Sequence, residues 1–266
     1  MKVRFNKFKR RAQIASFVLG ALLVVCFIIL FFNSESIELS QQDKIYLRQF
    51  LNDWQISVIP QEVHKSFESE FNFISAIQDR VLSNVTGQQV PHAFFGNVRY
   101  YYQSRQGICY DRAVLLEKFL LLYHFPFRHV YLYFGDKMNP SLSDFFKTNL
   151  KSHAALEVKT LKGWMSIGTN ANWLGVGGSQ KLLDFDDLRR ELVATKGVPR
   201  LQKPPSIGTP FWKVPGYQYA IIYGVYSRHG DFFTEDTING GRSLFTGQRH
   251  FLPDYNLRML LYNFKR

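Results

Sequence analysis

The sequence predicts an α+β fold in which one central helix packs on an antiparallel sheet. Cys109 to Tyr123 is apolar on nearly every side, which is typical of a helix at the centre of a domain. Three runs of alternating side chains follow it and predict strands: Arg128 to Phe134, Ser152 to Thr160, and Trp164 to Gly168. Strands that follow one another, rather than alternating strictly with helices, favour an α+β arrangement.

The N-terminal part predicts a transmembrane helix ahead of this core. Ile14 to Phe32 is uncharged and almost wholly apolar, and 19 residues of helix would extend ~28 Å, close to the ~30 Å hydrocarbon core of a bilayer. Residues 1–12 hold six basic residues and no acid, which keeps the N-terminus in the cytoplasm. A cleaved signal peptide is the alternative, but its apolar part is usually shorter and a cleavage site of small residues should follow. We therefore expect an uncleaved signal anchor in a single-pass protein of the inner membrane, with the main domain in the periplasm or otherwise extracytoplasmic.

Composition and patterning divide the chain into five parts. We expect a cytoplasmic basic segment (1–12), the transmembrane anchor (13–33), a helical N-terminal part of the exported domain (34–98), the core (99–200), and a linker with a C-terminal strand and helix (201–266). Apolar residues spaced three and four apart predict further helices, and alternation predicts a late strand. The segments concerned are helices over Glu38 to Asn52, Phe67 to Val81, Leu182 to Leu192 and Leu257 to Tyr262, a strand over Tyr217 to Tyr226, an extended linker from Lys203 to Pro215, and a polar insertion or lid over Gly135 to Asn149.

Charge and motif content exclude several classes of function. The formal net charge is +12, but much of the excess lies in residues 1–12, and no helix-turn-helix or zinc-finger spacing accompanies it. We therefore expect no nucleic-acid partner. The glycine-rich stretch Trp173 to Gly178 lacks the Lys-Ser/Thr ending of a phosphate-binding loop. Because no ligand cluster has zinc or calcium spacing, we expect neither a metal nor a cofactor.

Cys109 and His153 carry the strongest chemical signal. The other cysteine, Cys26, lies in the predicted anchor, so Cys109 has no intrachain partner in the exported part. A thiol at the start of a helix is expected to have a lowered pKa, since the helix N-terminus carries partial positive charge. An imidazole within reach would stabilise the thiolate and later protonate the leaving group. The alternative is a buried thiol that packs as a small apolar side chain.

Three short motifs, in order, resemble the transglutaminase-like superfamily, whose core is papain-like. They are Gly107-Ile108-Cys109 at a helix start, His153-Ala154-Ala155-Leu156-Glu157-Val158 on a strand, and Gly163-Trp164 on the next strand. The resemblance covers about Arg105 to Asn170, and Asp111 and Ala113 also fit its helix pattern. It implies a nucleophilic Cys109 and a His153 that acts as base and acid.

The resemblance fails at the third catalytic position, because the family's acid should lie at Gly168. Asn170 would face the same side of a continuing strand and is our candidate for orienting His153, although it could also be a turn residue. Asn172 and Asp184 are further possibilities, and Asp184 also fits the N-cap of the following helix. Candidates for an oxyanion donor or for the lining of the cleft, each of which could instead be structural, are Gln106, Gln103, His229 and Trp164.

These residues predict an exported, membrane-anchored cysteine enzyme that hydrolyses amide bonds or transfers acyl groups through a Cys-His dyad or triad. Its expected partner is a peptide or protein substrate, such as one of the cell envelope. Two alternatives belong to other classes. Loss of the family acid favours a catalytically impaired module that binds an envelope peptide or glycan. The proline-rich segment and aromatic tail favour a scaffold in an envelope assembly.

Overall fold

The fold was taken from a computed structural model of the chain. It describes residues 13–14, 16–24, 39–88, 90, 94, 96–134, 151–213, 219–223, 225–226 and 254–255. Several predicted features lie outside these residues: Cys26, His229, the 135–149 insertion and the C-terminal helix.

Besides the helical residues 13–14 and 16–24, six helices precede or flank the sheet in the described part of the chain. Their bounds are α1 Gln41–Asp53, α2 Pro60–Val63, α3 Phe67–Asn84, α4 Val98–Ser104, α5 Cys109–Leu122 and α6 Phe185–Ala194. Four of them begin at a side chain that accepts a backbone N–H, which is typical of helix starts: Ser40 for α1, Ser66 for α3, Asn97 for α4 and Asp184 for α6. The short helices α2 and α4 have no counterpart in the sequence prediction.

The described strands form one antiparallel sheet of four strands and a separate antiparallel pair. The larger sheet has the order β3-β2-β1-β4, built from β1 Phe127–Phe134, β2 Lys151–Thr160, β3 Gly163–Ile167 and β4 Tyr219–Tyr223. The pair joins β5 Val225–Tyr226 to β6 Asp254–Tyr255. The predicted α+β class is confirmed, and α5 shares a core with the sheet.

The two faces of the sheet are buried against different partners, because side chains alternate along each strand. Ala154, Leu156 and Val158 of β2 pack with the apolar side chains of α1, α3 and α5. Ala155, one residue out of step, belongs to a second cluster on the opposite face. This second cluster holds the aromatic side chains Trp173, Phe185, Phe211, Trp212 and Tyr219.

The predicted transmembrane helix over 13–33 is wrong. Among the residues that the structure describes, no helix is sufficiently long and apolar to cross a bilayer. Residues 25–33 lie outside the described part.

Residues 201–213 differ from the extended linker that their prolines predicted. Phe211 and Trp212 form a short 3-10 turn and are 4% and 7% exposed within the second cluster. Asn172 holds the preceding residues in place, since its Oδ1 accepts the backbone N–H groups of Ser206 and Ile207 at 2.8 and 2.6 Å. After this segment β4 pairs with β1, so the chain returns to the sheet of the core.

Candidate active site

The start of α5 is fixed by Gly107 and Asp111. A Cβ at Gly107 would lie 2.7 Å from Val85 Cγ1, so any other residue here would force the Val85 side chain to shift. The Asp111 carboxylate accepts the backbone N–H of Ile108 at 3.0 Å and that of Val90 at 3.3 Å. It thereby closes the first turn, and Cys109 becomes the first residue of the helix. The N–H of Cys109 has no acceptor within the helix, which makes it available as an oxyanion donor.

The Cys109 sulfur lies at an open stretch of the edge of β2. β3 ends at Ile167, opposite Leu156, so β3 does not pair with the β2 residues before Leu156. The backbone N–H of Ala154 donates to the Cys109 sulfur, and the carbonyl of Ala154 accepts the Thr169 hydroxyl. The N–H and C=O groups of a strand residue point to the same side of the strand. The Cys109 thiol and the Thr169 hydroxyl therefore both lie beside Ala154. Cys109 is therefore held beside the residue that follows His153.

The expected lowering of the Cys109 pKa is wrong in direction. Burial, with a smaller contribution from the charge of Asp111, raises the pKa of the thiol and outweighs three opposing effects. The opposing effects are the hydrogen bonds from the backbone N–H groups of Ala154 and Tyr110 and the charge of Arg112. The resting side chain is a neutral thiol.

His153 is buried, with Thr169 and Asn170 at its two ring nitrogens. The hydroxyl oxygen of Thr169 lies 3.3 Å from Nε2, and Nδ2 of Asn170 lies 3.4 Å from Nδ1. His153 is 5% exposed and Thr169 is fully buried, whereas Asn170 is exposed. Of the two residues that contact the ring, Asn170 is therefore the one that faces solvent.

Arg112 determines which way the Asn170 amide points, and hence the tautomer of His153. Arg112 Nη1 donates to Asn170 Oδ1 at 3.1 Å, so the amide presents its Nδ2 donors to His153. His153 Nδ1 must then be the acceptor, which leaves the ring proton on Nε2. That proton points at Thr169, whose own proton goes to the Ala154 carbonyl. A directed chain of hydrogen bonds therefore runs from Arg112 to β2.

The surroundings of His153 keep it neutral. Burial, with a further contribution from the positive charge of Arg112, lowers the pKa of His153 to about 3. A neutral imidazole with an accepting Nδ1 can serve as a base. The pair of a neutral thiol and a neutral imidazole differs from the thiolate-imidazolium pair that the sequence predicted.

Gly168, where the family resemblance places an acid, has no room for a side chain. A Cβ there would lie 2.4 Å from the carbonyl oxygen of Ala171 and 2.4 Å from Trp173 Nε1. Its own carbonyl accepts the side-chain amide of Gln78 at 2.8 Å. The backbone therefore turns too tightly for a carboxylate, and the polar contacts to His153 come from the next two residues.

The two glutamine candidates for an oxyanion donor, Gln106 and Gln103, lie in different surroundings. The Oε1 of Gln106 accepts the Tyr100 hydroxyl at 3.3 Å, which leaves its Nε2 donors without an acceptor among the described residues. Gln106 is only three residues before Cys109 and stays a candidate oxyanion donor. Gln103 is exposed on α4, and no described contact connects it to His153 or Cys109.

The remaining candidates hold the fold together rather than meeting at His153. Trp164 pairs with Lys159, six residues along β2 from His153, and the Arg128 guanidinium lies 4.1 Å from its ring centroid. Asn172 bonds Asp79 and the 206–207 backbone, and Asp184 caps α6. No group of three metal-binding side chains occurs among the residues described.

Sequence reasoning missed Thr169 and Arg112. Threonine is common in strands and turns, and only the register of β2 and β3 reveals that its hydroxyl meets His153. Arg112 follows Cys109 by three residues, so the helical repeat alone places it on the same face as the thiol. That spacing was the one signal in the sequence that could have identified it.

No protein-family model matches the chain, and no curated protein matches it. The resemblance to the transglutaminase-like superfamily therefore depends on the motifs and contacts described above.

Proposed function

We propose that this chain is a cysteine enzyme of transglutaminase-like type that acts on amide bonds of a peptide or protein. The observation that carries the proposal is the contact of Asn170 with His153. His153 directly precedes Ala154, the residue of β2 whose backbone N–H donates to the Cys109 sulfur. Cys109 is thus held beside the strand neighbour of His153, and Asn170 contacts the His153 ring, which supplies candidates for the nucleophile, the base and the polar group on the base in thiol-dependent acyl transfer. They come from three separate elements: α5, β2 and the turn after β3.

The reaction would begin with transfer of the Cys109 proton to His153 Nδ1 as the sulfur attacks the amide carbonyl carbon. The carbonyl oxygen becomes an oxyanion, for which the Cys109 N–H and the Gln106 amide are the donor candidates. Collapse breaks the C–N bond, and His153 returns its proton to the leaving nitrogen. The resulting thioester is then cleaved by water or captured by an amine.

Because both groups are neutral at rest, proton transfer has to accompany attack. Asn170 occupies the accepting nitrogen of His153 at 3.4 Å, a long hydrogen bond that a small side-chain rotation would release. Asn170 is exposed, so a bound substrate would contact it directly. We infer that substrate binding moves the amide aside and frees Nδ1 for the thiol proton.

The test is alkylation of the native protein by iodoacetamide, with the modified residue identified by peptide mass spectrometry. We expect Cys109 to be labelled, and His153→Ala to slow labelling by about a hundredfold, the low end of the range that general acid–base catalysis contributes. The control is His124→Asn, which removes an exposed imidazole at a φ of 61°, a conformation that asparagine tolerates. Equal rates in all three proteins would refute the role of His153.

A second candidate function is favoured by the pKa shifts themselves. A thiol pKa raised by burial and a His153 pKa of about 3 both lower the population of the reactive ion pair. A binding module that has lost catalysis but kept the cleft would show this state. Cys109→Ser separates the two functions, because it abolishes acyl transfer but leaves peptide binding unchanged. A cellular function that survives this substitution would favour the binding module.

A further inference from the structure

Arg112 is anchored in the candidate site by three hydrogen bonds to neutral acceptors. Its Nε donates to the carbonyl of Val85 at 2.7 Å, and its Nη1 donates to the Thr169 carbonyl and to Asn170 Oδ1, both at 3.1 Å. These acceptors come from the end of α3 and from the turn after β3. The guanidinium is therefore held in one orientation beside the thiol before any ligand arrives.

Arg112 forms no close ion pair among the described residues, although the charge of the neighbouring Asp111 carboxylate still acts on it. Each of the ion pairs formed there involves other basic side chains. Asp111, its neighbour in sequence, directs its carboxylate to the backbone of Ile108 and Val90 instead. A guanidinium has five N–H donors, and the three bonds engage only Nε and Nη1. Its Nη2 has no hydrogen bond to a described residue and is not enclosed, since Arg112 is partly exposed and Asn170 beside it is exposed.

From this geometry we infer that Arg112 binds a carboxylate of the substrate, so that the amide cleaved belongs to an acidic peptide. The inference rests on the proposed function, because it assigns the substrate class of that site. A partly desolvated arginine with a free Nη2 suits a carboxylate, with which it forms charge-assisted hydrogen bonds. The N-terminus of α5, one turn away, adds positive potential on the same side.

A bound carboxylate would also change the base. The positive charge of Arg112 contributes to the lowered pKa of His153. Neutralising that charge relieves the repulsion against a protonated imidazole, so His153 accepts the thiol proton more readily when an acidic substrate is present. Substrate recognition and activation of the base are then coupled through one side chain.

The first test compares two reagents that alkylate by the same chemistry but differ in charge. In each case the Cys109 thiolate forms a C–S bond and iodide leaves; iodoacetate carries a carboxylate and iodoacetamide does not. We expect the iodoacetate-to-iodoacetamide rate ratio at Cys109 to be about tenfold higher in the native protein than in the same chain unfolded in urea, the scale of one charged hydrogen bond. The ratio should fall as salt is added, because part of the attraction is screened.

Variants identify the residue responsible. Arg112→Gln should return the ratio to the unfolded value, and Arg112→Lys, which keeps the charge, should retain part of it. The matched control is Arg105→Gln, which removes an arginine that is paired with Asp53 at 3.1 Å. If the native ratio equals the unfolded ratio, or if Arg105→Gln lowers it as much as Arg112→Gln, the inference is overturned.

A second measurement does not depend on thiol reactivity. The NMR signal of the Arg112 Nε–H is followed with N-acetylalanine (a terminal carboxylate), N-acetylglutamate α-amide (a side-chain carboxylate) and N-acetylalanine amide (neutral). We expect a saturable shift of the Arg112 Nε–H signal with the two acids only. The acid that binds more tightly shows whether a terminal or a side-chain carboxylate is preferred. Equal responses to all three overturn the inference, even if His153 accelerates labelling. If the acids bind but Cys109 is not labelled at all, the proposed cysteine chemistry is overturned instead. The carboxylate-binding role of Arg112 is then supported on its own.

Discussion

His153 makes the protein sensitive to acid in a way that one substitution should remove. The pKa of His153 is lowered to about 3 by burial and by Arg112, whereas a histidine in an unfolded chain titrates near 6.5. The unfolded chain therefore binds this proton more readily than the folded protein does. Its contribution to stability is complete above pH ~6.5 and is lost as the pH falls from there toward about 3.

The size of the effect follows from the two pKa values. Within the window, one proton taken up only on unfolding costs ~1.4 kcal/mol of unfolding free energy for each pH unit. Between pH ~6 and ~4 this amounts to a loss of about 2 to 3 kcal/mol, a large share of the ~5–15 kcal/mol that stabilises a typical domain. His153→Gln removes the titrating group but keeps polar atoms near Thr169 and Asn170.

The assay is urea unfolding followed by tryptophan fluorescence, at four pH values from about 7 to 4. His153→Gln is expected to lower stability at neutral pH, because the ring also packs 6.1 Å from Phe211, and to show a shallower dependence on pH. Groups such as Asp111 and Glu157, whose pKa values burial raises, titrate in both proteins and cancel in the difference. Parallel pH profiles for wild type and variant would refute the buried, neutral histidine.

Three further substitutions test the geometry of the site. Gly168→Ala should destabilise the protein by about 1–3 kcal/mol in urea unfolding, since its Cβ would lie 2.4 Å from Trp173 Nε1; a loss under ~0.5 kcal/mol would contradict the tight turn. Asp111→Ala leaves two backbone N–H groups without their carboxylate and should cost about 1–3 kcal/mol by the same assay, while unchanged stability would argue against the cap. Thr169→Val keeps the volume but removes the hydroxyl at His153 Nε2, so iodoacetamide labelling of Cys109 should slow and Thr169→Ser should restore it; equal rates in all three would show that the hydroxyl does not position the ring.

Hydrophobic periodicity predicted the main elements closely because it depends on local sequence. The helix that begins at Cys109 and the strand over Lys151–Thr160 lie within one or two residues of their predicted bounds. The short helix Val98–Ser104 was missed, since seven residues give too little periodicity to distinguish a helix from a loop. The proline-rich stretch misled for the opposite reason: prolines identify breaks in regular structure, but they do not show that Phe211 and Trp212 are buried.

The candidate site was predictable where a residue's role follows from its own element. Cys109 at a helix start and His153 on a strand could be placed from spacing alone. Thr169 and Arg112 could not be assigned, because their roles depend on contacts between α5, β2 and the turn after β3. The empty position at Gly168 is visible in the sequence, but its cause, a backbone turn packed against Trp173, is visible only in three dimensions.

The protonation state of Cys109 shows why position on a helix is insufficient to predict reactivity. A helix N-terminus stabilises a nearby negative charge by ~0.3–1 kcal/mol, which is less than one pKa unit. Removal of the same charge from water can raise a pKa by several units. Burial therefore prevails at Cys109, even with two N–H donors and Arg112 favouring the thiolate. In the proposed reaction the thiol therefore depends on proton transfer to His153 during attack. The two side chains assigned to the control of that transfer, Asn170 and Arg112, are exposed and partly exposed, so a substrate can contact both.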